Sequence, residues 1–84
     1  MPNLVLYYTD SCSYCQKVFR FMQQHNIRIA LKNTMQDPKN RQELLKIGGK
    51  TQVPCLVIDA KALYESDDII QWLNDNCVTN KKTR

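Results

Sequence analysis

No stretch of this chain approaches the roughly 20 consecutive apolar residues that a membrane-spanning helix needs. The opening "MPNLVLYYTD" has no basic leading segment, no long apolar centre and no small-residue cleavage site, so a secretory signal is not expected. Repeats, linkers and low-complexity tracts are missing as well. Positive charge is scarce once its position is considered. Three of the twelve Lys and Arg behind the net charge of +4 lie in the final "KKTR", and residues 1–80 hold nine against eight Asp and Glu. A basic nucleic-acid face is therefore not expected. Histidine occurs once, and there is one CxxC where a structural zinc site needs two Cys/His pairs. No metal ligands are assigned.

These absences leave a soluble cytoplasmic protein as the expectation. Thiols are kept reduced in that compartment, so the four cysteines are not expected to be structural staples. Eighty-four residues, 43% of them apolar, suit one small globular domain. Residues 1–80 are assigned to that domain and 81–84 to a basic, flexible tail.

What the chain does contain is a regular alternation of short elements. "NLVLYY" (3–8) is an apolar and aromatic run ahead of a turn-forming "TDS", which predicts a buried strand. Cys15, Val18, Phe19 and Met22 then recur at helical spacing, so a helix is predicted from Cys12 to about Asn26. "IRIALK" (27–32) alternates like a second strand. In "QDPKNRQELLKIGG", Asp37 is an N-cap, Pro38 takes the first helical position and Gly48–Gly49 is a stop. "PCLVID" (54–59) and "ALYE" (62–65) form a hairpin about a tight "DAK" connection. "SDDIIQWLNDN" reads as a last helix with Ser66 as N-cap, burying Ile69, Ile70, Trp72 and Leu73. The order β-α-β-α-β-β-α predicts a four-stranded mixed sheet with three helices on its two faces.

The stretch "DSCSYCQK" (10–17) carries the chemistry. A CxxC at a strand-to-helix junction of an α/β chain points to a redox couple. Helix N-termini present unpaired N–H groups and partial positive charge, so a thiolate there is stabilised and nucleophilic near neutral pH. Cys12 lies at that end and Cys15 on the apolar stripe one turn in, which makes Cys12 the attacking sulfur and Cys15 the resolver. Three residues apart on a helix, the two sulfurs can reach each other for a disulfide. Cys55, Cys77 and His25 are assigned no catalytic role.

At this point the chain resembles the glutaredoxins, the glutathione-dependent branch of the thioredoxin fold. "YYTDSCSYC" is similar to their Y-x-x-x-x-C-P-Y-C, with Ser13 in place of the proline. "TQVP" (51–54) resembles their T-V-P loop, which implies a cis peptide bond before Pro54. "SDDI" (66–69) resembles the start of their last helix. The likeness runs from about residue 3 to 77. It implies a glutathione site in which Val53 pairs with the tripeptide backbone as an added strand would. Ser66 would take the γ-glutamyl carboxylate, Asp67 the amine, and Tyr14 would line the groove. Thr9 stands where many members have Lys or Arg, which leaves Lys50 or Lys17 for the glycyl carboxylate. "ALYES" is instead similar to the glutathione transferase N-terminal domain, which adds Glu65 to the γ-glutamyl contacts. The helical second domain of those transferases is missing from these residues, so conjugation is not the expected activity.

The resemblance implies a glutathione-dependent thiol–disulfide oxidoreductase, monomeric, acting on glutathionylated or disulfide-containing proteins through Cys12 and Cys15. The alternative is a dimer that holds a [2Fe–2S] cluster through two Cys12 residues and two glutathiones, as the family's variants without the proline do.

Overall fold

The structure, a computed structural model, describes residues 3–78. The tail expected at 81–84 lies outside the described residues. Strands β1 (Leu4–Tyr8), β2 (Ala30–Asn33), β3 (Cys55–Ile58) and β4 (Lys61–Leu63) alternate with helices α1 (Ser13–Gln24), α2 (Pro38–Gly48) and α3 (Ser66–Cys77) in the expected order.

The four strands form one sheet in the order β2-β1-β3-β4. β1 runs parallel to β2, with Val5 opposite Ala30, and antiparallel to β3, with Val5 opposite Val57. This is the mixed thioredoxin-like sheet that the sequence predicts. Alternation along the strands then builds two cores, because successive side chains leave on opposite faces. Leu6 and Leu56 meet Val18 and Met22 of α1 and Ile69 and Leu73 of α3 on one face. Tyr7, Cys55 and Val57 meet Leu44 of α2 on the other. Ile70 and Trp72, expected in the interior, are only partly buried and pack at the rim of the first core.

Of the boundaries at β2, α2 and α3, those of β2 and α3 differ from the sequence reading. Asn26 adopts φ 54° and the Ile27 N–H returns to the Met22 carbonyl, so 27–29 complete the α1 end and β2 begins at Ala30. Asp37 does cap α2, its carboxylate accepting the Lys39 N–H at 2.9 Å, and Gly49 ends it at φ 79°, where a Cβ would be strained. α3 departs from expectation. Its N-cap is Glu65, with no side-chain cap hydrogen bond, and Ser66 is already the first helical residue. The extended β4 chain runs straight into the helix at Glu65, which leaves the serine hydroxyl one position too late to cap.

β3 and β4 are joined by the two-residue turn Asp59–Ala60, both at positive φ (48° and 70°). That backbone matches the right-handed twist of the strands.

Candidate active site

The β1–α1 loop delivers Cys12 to the N-cap of α1. Its sulfur accepts the Cys15 N–H at 3.3 Å, the place a serine or aspartate oxygen fills in most caps. The cap itself thus selects the first cysteine as the sulfur facing unpaired helix N–H groups. Cys12 is half-buried, whereas Cys15 is fully buried. Burial, opposed by a backbone hydrogen bond at Thr9 and reinforced by Cys12, pushes the Cys15 thiol up to about 12.

A polar knot holds the loop in place. Asn33 is 7% exposed; its amide donates to the Asp10 carboxylate at 3.2 Å, and its oxygen accepts the Met35 and Gln36 N–H groups, each at 2.9 Å. Gln16 donates to the Asp10 carbonyl from α1 at 3.3 Å. The β1–α1 and β2–α2 loops are therefore pinned to each other two residues before Cys12.

Beside Cys12 lies a groove of about 330 Å³. Tyr14, Gln52, Val53 and Pro54 line it, together with Tyr64, Glu65, Ser66 and Asp67. The Val53–Pro54 peptide bond is cis, as the resemblance implies. The Cys12 thiol donates to the Val53 carbonyl at 3.8 Å, which ties that sulfur to the groove. Tyr14, 62% exposed, stands at the rim.

Seven of the nine expected site residues meet directly here. Lys50 is outside the lining, with its Nζ 5.0 Å above the Tyr64 ring. Lys17 pairs with Asp67 across α1 and α3 at 2.5 Å, so it stands beside the residues expected to hold the γ-glutamyl end and not apart from them. Gln52 and Tyr64 line the groove without having been singled out. Tyr64 looks like an ordinary β residue in "ALYE". Only the fold shows its hydroxyl donating to the Lys50 carbonyl at 3.1 Å, where it braces the loop that carries Val53. Cys55 is fully buried behind the cis-proline, and burial pushes its thiol up to about 11. Cys77 is likewise raised by burial, and His25 packs on the Phe21 ring at 4.5 Å.

The sheet order and the cysteine pair at the α1 N-terminus define a thioredoxin-like domain. Residues 6–80 match the family described as the glutathione S-transferase N-terminal domain, and the chain belongs to that family. It is similar to Glutaredoxin 3 of Escherichia coli strain K12, 26% identical over 69 residues that cover 82% of this chain and 83% of that protein. Among solved structures it resembles glutathione transferase Omega 3C from Trametes versicolor (TM-score 0.74, 30% identity, 87% of this chain and 33% of that one). A glutathione transferase homologue from Drosophila mojavensis, solved with bound glutathione, shares the fold (TM-score 0.73, 21% identity, 89% of this chain and 35% of that one). The chain spans about a third of the length of these transferases.

Proposed function

We propose that this domain is a glutathione-dependent thiol–disulfide oxidoreductase. The carrying observation is the split between two cysteines of one turn: Cys12 caps the helix beside the groove, and Cys15 is sealed in the core with its thiol pushed up to about 12. Names of similar proteins support the ligand, since glutathione is bound in the Drosophila mojavensis homologue. The groove supports it too. Ser66 and the α3 N-terminus suit the γ-glutamyl carboxylate, Asp67 and Glu65 the amine, and the Val53 backbone the central cysteine.

In the monothiol route the Cys12 thiolate attacks the glutathionyl sulfur of a protein–glutathione disulfide. That bond breaks, the protein leaves as a thiolate and takes a proton, and a Cys12–glutathione disulfide forms. A second glutathione thiolate then attacks the same glutathionyl sulfur, giving glutathione disulfide and returning the Cys12 thiolate. A thiolate no longer donates to the Val53 carbonyl, so the same deprotonation frees that carbonyl for the tripeptide. In the dithiol route Cys12 attacks a protein disulfide to form a mixed disulfide. Cys15 attacks the Cys12 sulfur and releases the reduced protein, and two glutathiones then reduce the Cys12–Cys15 disulfide. Two of the influences raising Cys15, the hydrogen bond and the charge of Cys12, vanish once Cys12 is in a mixed disulfide. The resolver becomes easier to deprotonate at the step that needs it.

The test is reduction of a glutathionylated peptide coupled to glutathione consumption, run beside conjugation of glutathione to an aromatic electrophile. Turnover in the first assay alone supports the proposal, and turnover in the second alone would overturn it. A visible absorbance scan of anaerobically purified protein addresses the alternative, a [2Fe–2S] dimer bridged by Cys12 and glutathione.

A further inference from the structure

Asp67 has a partner before any ligand arrives. Lys17 leaves α1 five residues after Cys12 and places its ammonium 2.5 Å from the Asp67 carboxylate at the start of α3. Both side chains stay in water, 51% and 80% exposed, so opening the pair costs little. Asp67 is also the carboxylate that the proposed function gives to the γ-glutamyl amine.

A second ammonium coming to Asp67 would be repelled by Lys17 if it came alone. The γ-glutamyl end does not come alone: its amine and carboxylate share one carbon. We propose that Lys17 and Asp67 together form a receptor for the zwitterionic α-amino acid end of the substrate. The ligand amine takes Asp67, and Lys17, freed by that exchange, takes the ligand carboxylate beside Ser66. Two unlike charges are swapped for two others, and no ion is left without a partner. Lys17 is thereby a specificity-determining residue that favours thiols carrying a free α-amino acid group over thiols with an amine or a carboxylate alone. The inference rests on the glutathione reading above. It also removes Lys17 from the glycyl end, leaving Lys50 as the cation there.

The experiment compares two mixed disulfides of one peptide, with glutathione and with cysteinylglycine, both reduced by a fixed excess of glutathione. Cysteinylglycine lacks the γ-glutamyl group and keeps the rest. Lys17→Met should raise the KM for the glutathione disulfide about 5- to 10-fold, the loss of one charge-assisted hydrogen bond in a solvated site. The KM for the cysteinylglycine disulfide should move far less, and Lys17→Arg should restore the glutathione value. An unchanged or lowered glutathione KM in Lys17→Met would overturn the proposal, because Lys17 would then only compete with the ligand for Asp67. An equal rise for both disulfides would also overturn it. A wild-type protein that shows no preference between the two would bring down the glutathione reading, and Lys17's part with it.

Discussion

Two sulfurs separated by one helical turn differ here in every property that matters for exchange. Cys12 is half-buried and bonded to an N–H and a carbonyl, while Cys15 has no exposure at all. Cys12→Ser should therefore abolish release of glutathione from a glutathionylated peptide, since a hydroxyl is not a nucleophile at neutral pH. The serine oxygen is itself a good cap, so the thermal midpoint should hold within a few degrees. Retained turnover in that variant would show that another sulfur attacks. Cys15→Ser should keep deglutathionylation and lose reduction of a peptide disulfide, and an equal loss of both would contradict the division of labour. The placement behind these proposed roles was legible in the sequence, because a CxxC after an apolar run and on an apolar stripe encodes both the helix end and the burial. The Asp10–Asn33 knot was not. Asn33 and Asp10 are 23 residues apart, and nothing in either neighbourhood names the other.

Strands and helices show where local signals stop. The "DAK" connection was readable as a tight turn, but its left-handed backbone needs pairing of Ile58 with Lys61 to define it. Ala60 stands at φ 70°, a conformation that costs an alanine about 1 kcal/mol and a glycine almost nothing. Ala60→Gly should stabilise the domain by up to about 0.5 kcal/mol after the flexibility it adds to the unfolded chain is subtracted. Equilibrium urea unfolding measures it, and a destabilised variant would show that the turn does not hold this backbone. Gly48 behaves in the opposite way. Alanine is normally the better helix residue, yet a Cβ at Gly48 would overlap the Tyr64 hydroxyl and come within 2.9 Å of the Ala62 Cβ. Gly48→Ala should cost about 1–3 kcal/mol, as overpacking does. Adding Tyr64→Phe should recover part of that loss by removing the overlapping oxygen, whereas additive losses in the double variant would refute the clash. The sequence reading took Gly48–Gly49 as a helix stop. Only Gly49 serves that purpose; Gly48 is small because a groove residue lies on it.

At the scale of the molecule, three buried acids among the described residues are held protonated: Tyr7 and Cys15 are pushed to about 12 and Cys55 to about 11, in each case mainly by burial. Their ordinary values are 10.0 for tyrosine and 9.0 for cysteine, so above about pH 9 the unfolded chain sheds protons that the folded chain keeps. Stability should be level up to that point and then fall with rising pH through the folded values, by at most about 1.4 kcal/mol per pH unit for each group. Urea midpoints taken from pH 7 to 11 check this. A flat profile would mean that these groups reach water in the folded state.

The place of β1 in the sheet has a consequence for synthesis. β1 is the first of the four strands along the chain, and it is an inner strand that needs partners on both sides. β2 becomes available after residue 33, but β3 ends only at Ile58, and the helix that brings Ile69 and Leu73 follows it. Until β3 has been made, this apolar inner strand therefore keeps at least one open edge. Such an edge is a template for other strands. In the half-made domain that template is an inner strand, which the finished sheet covers on both sides.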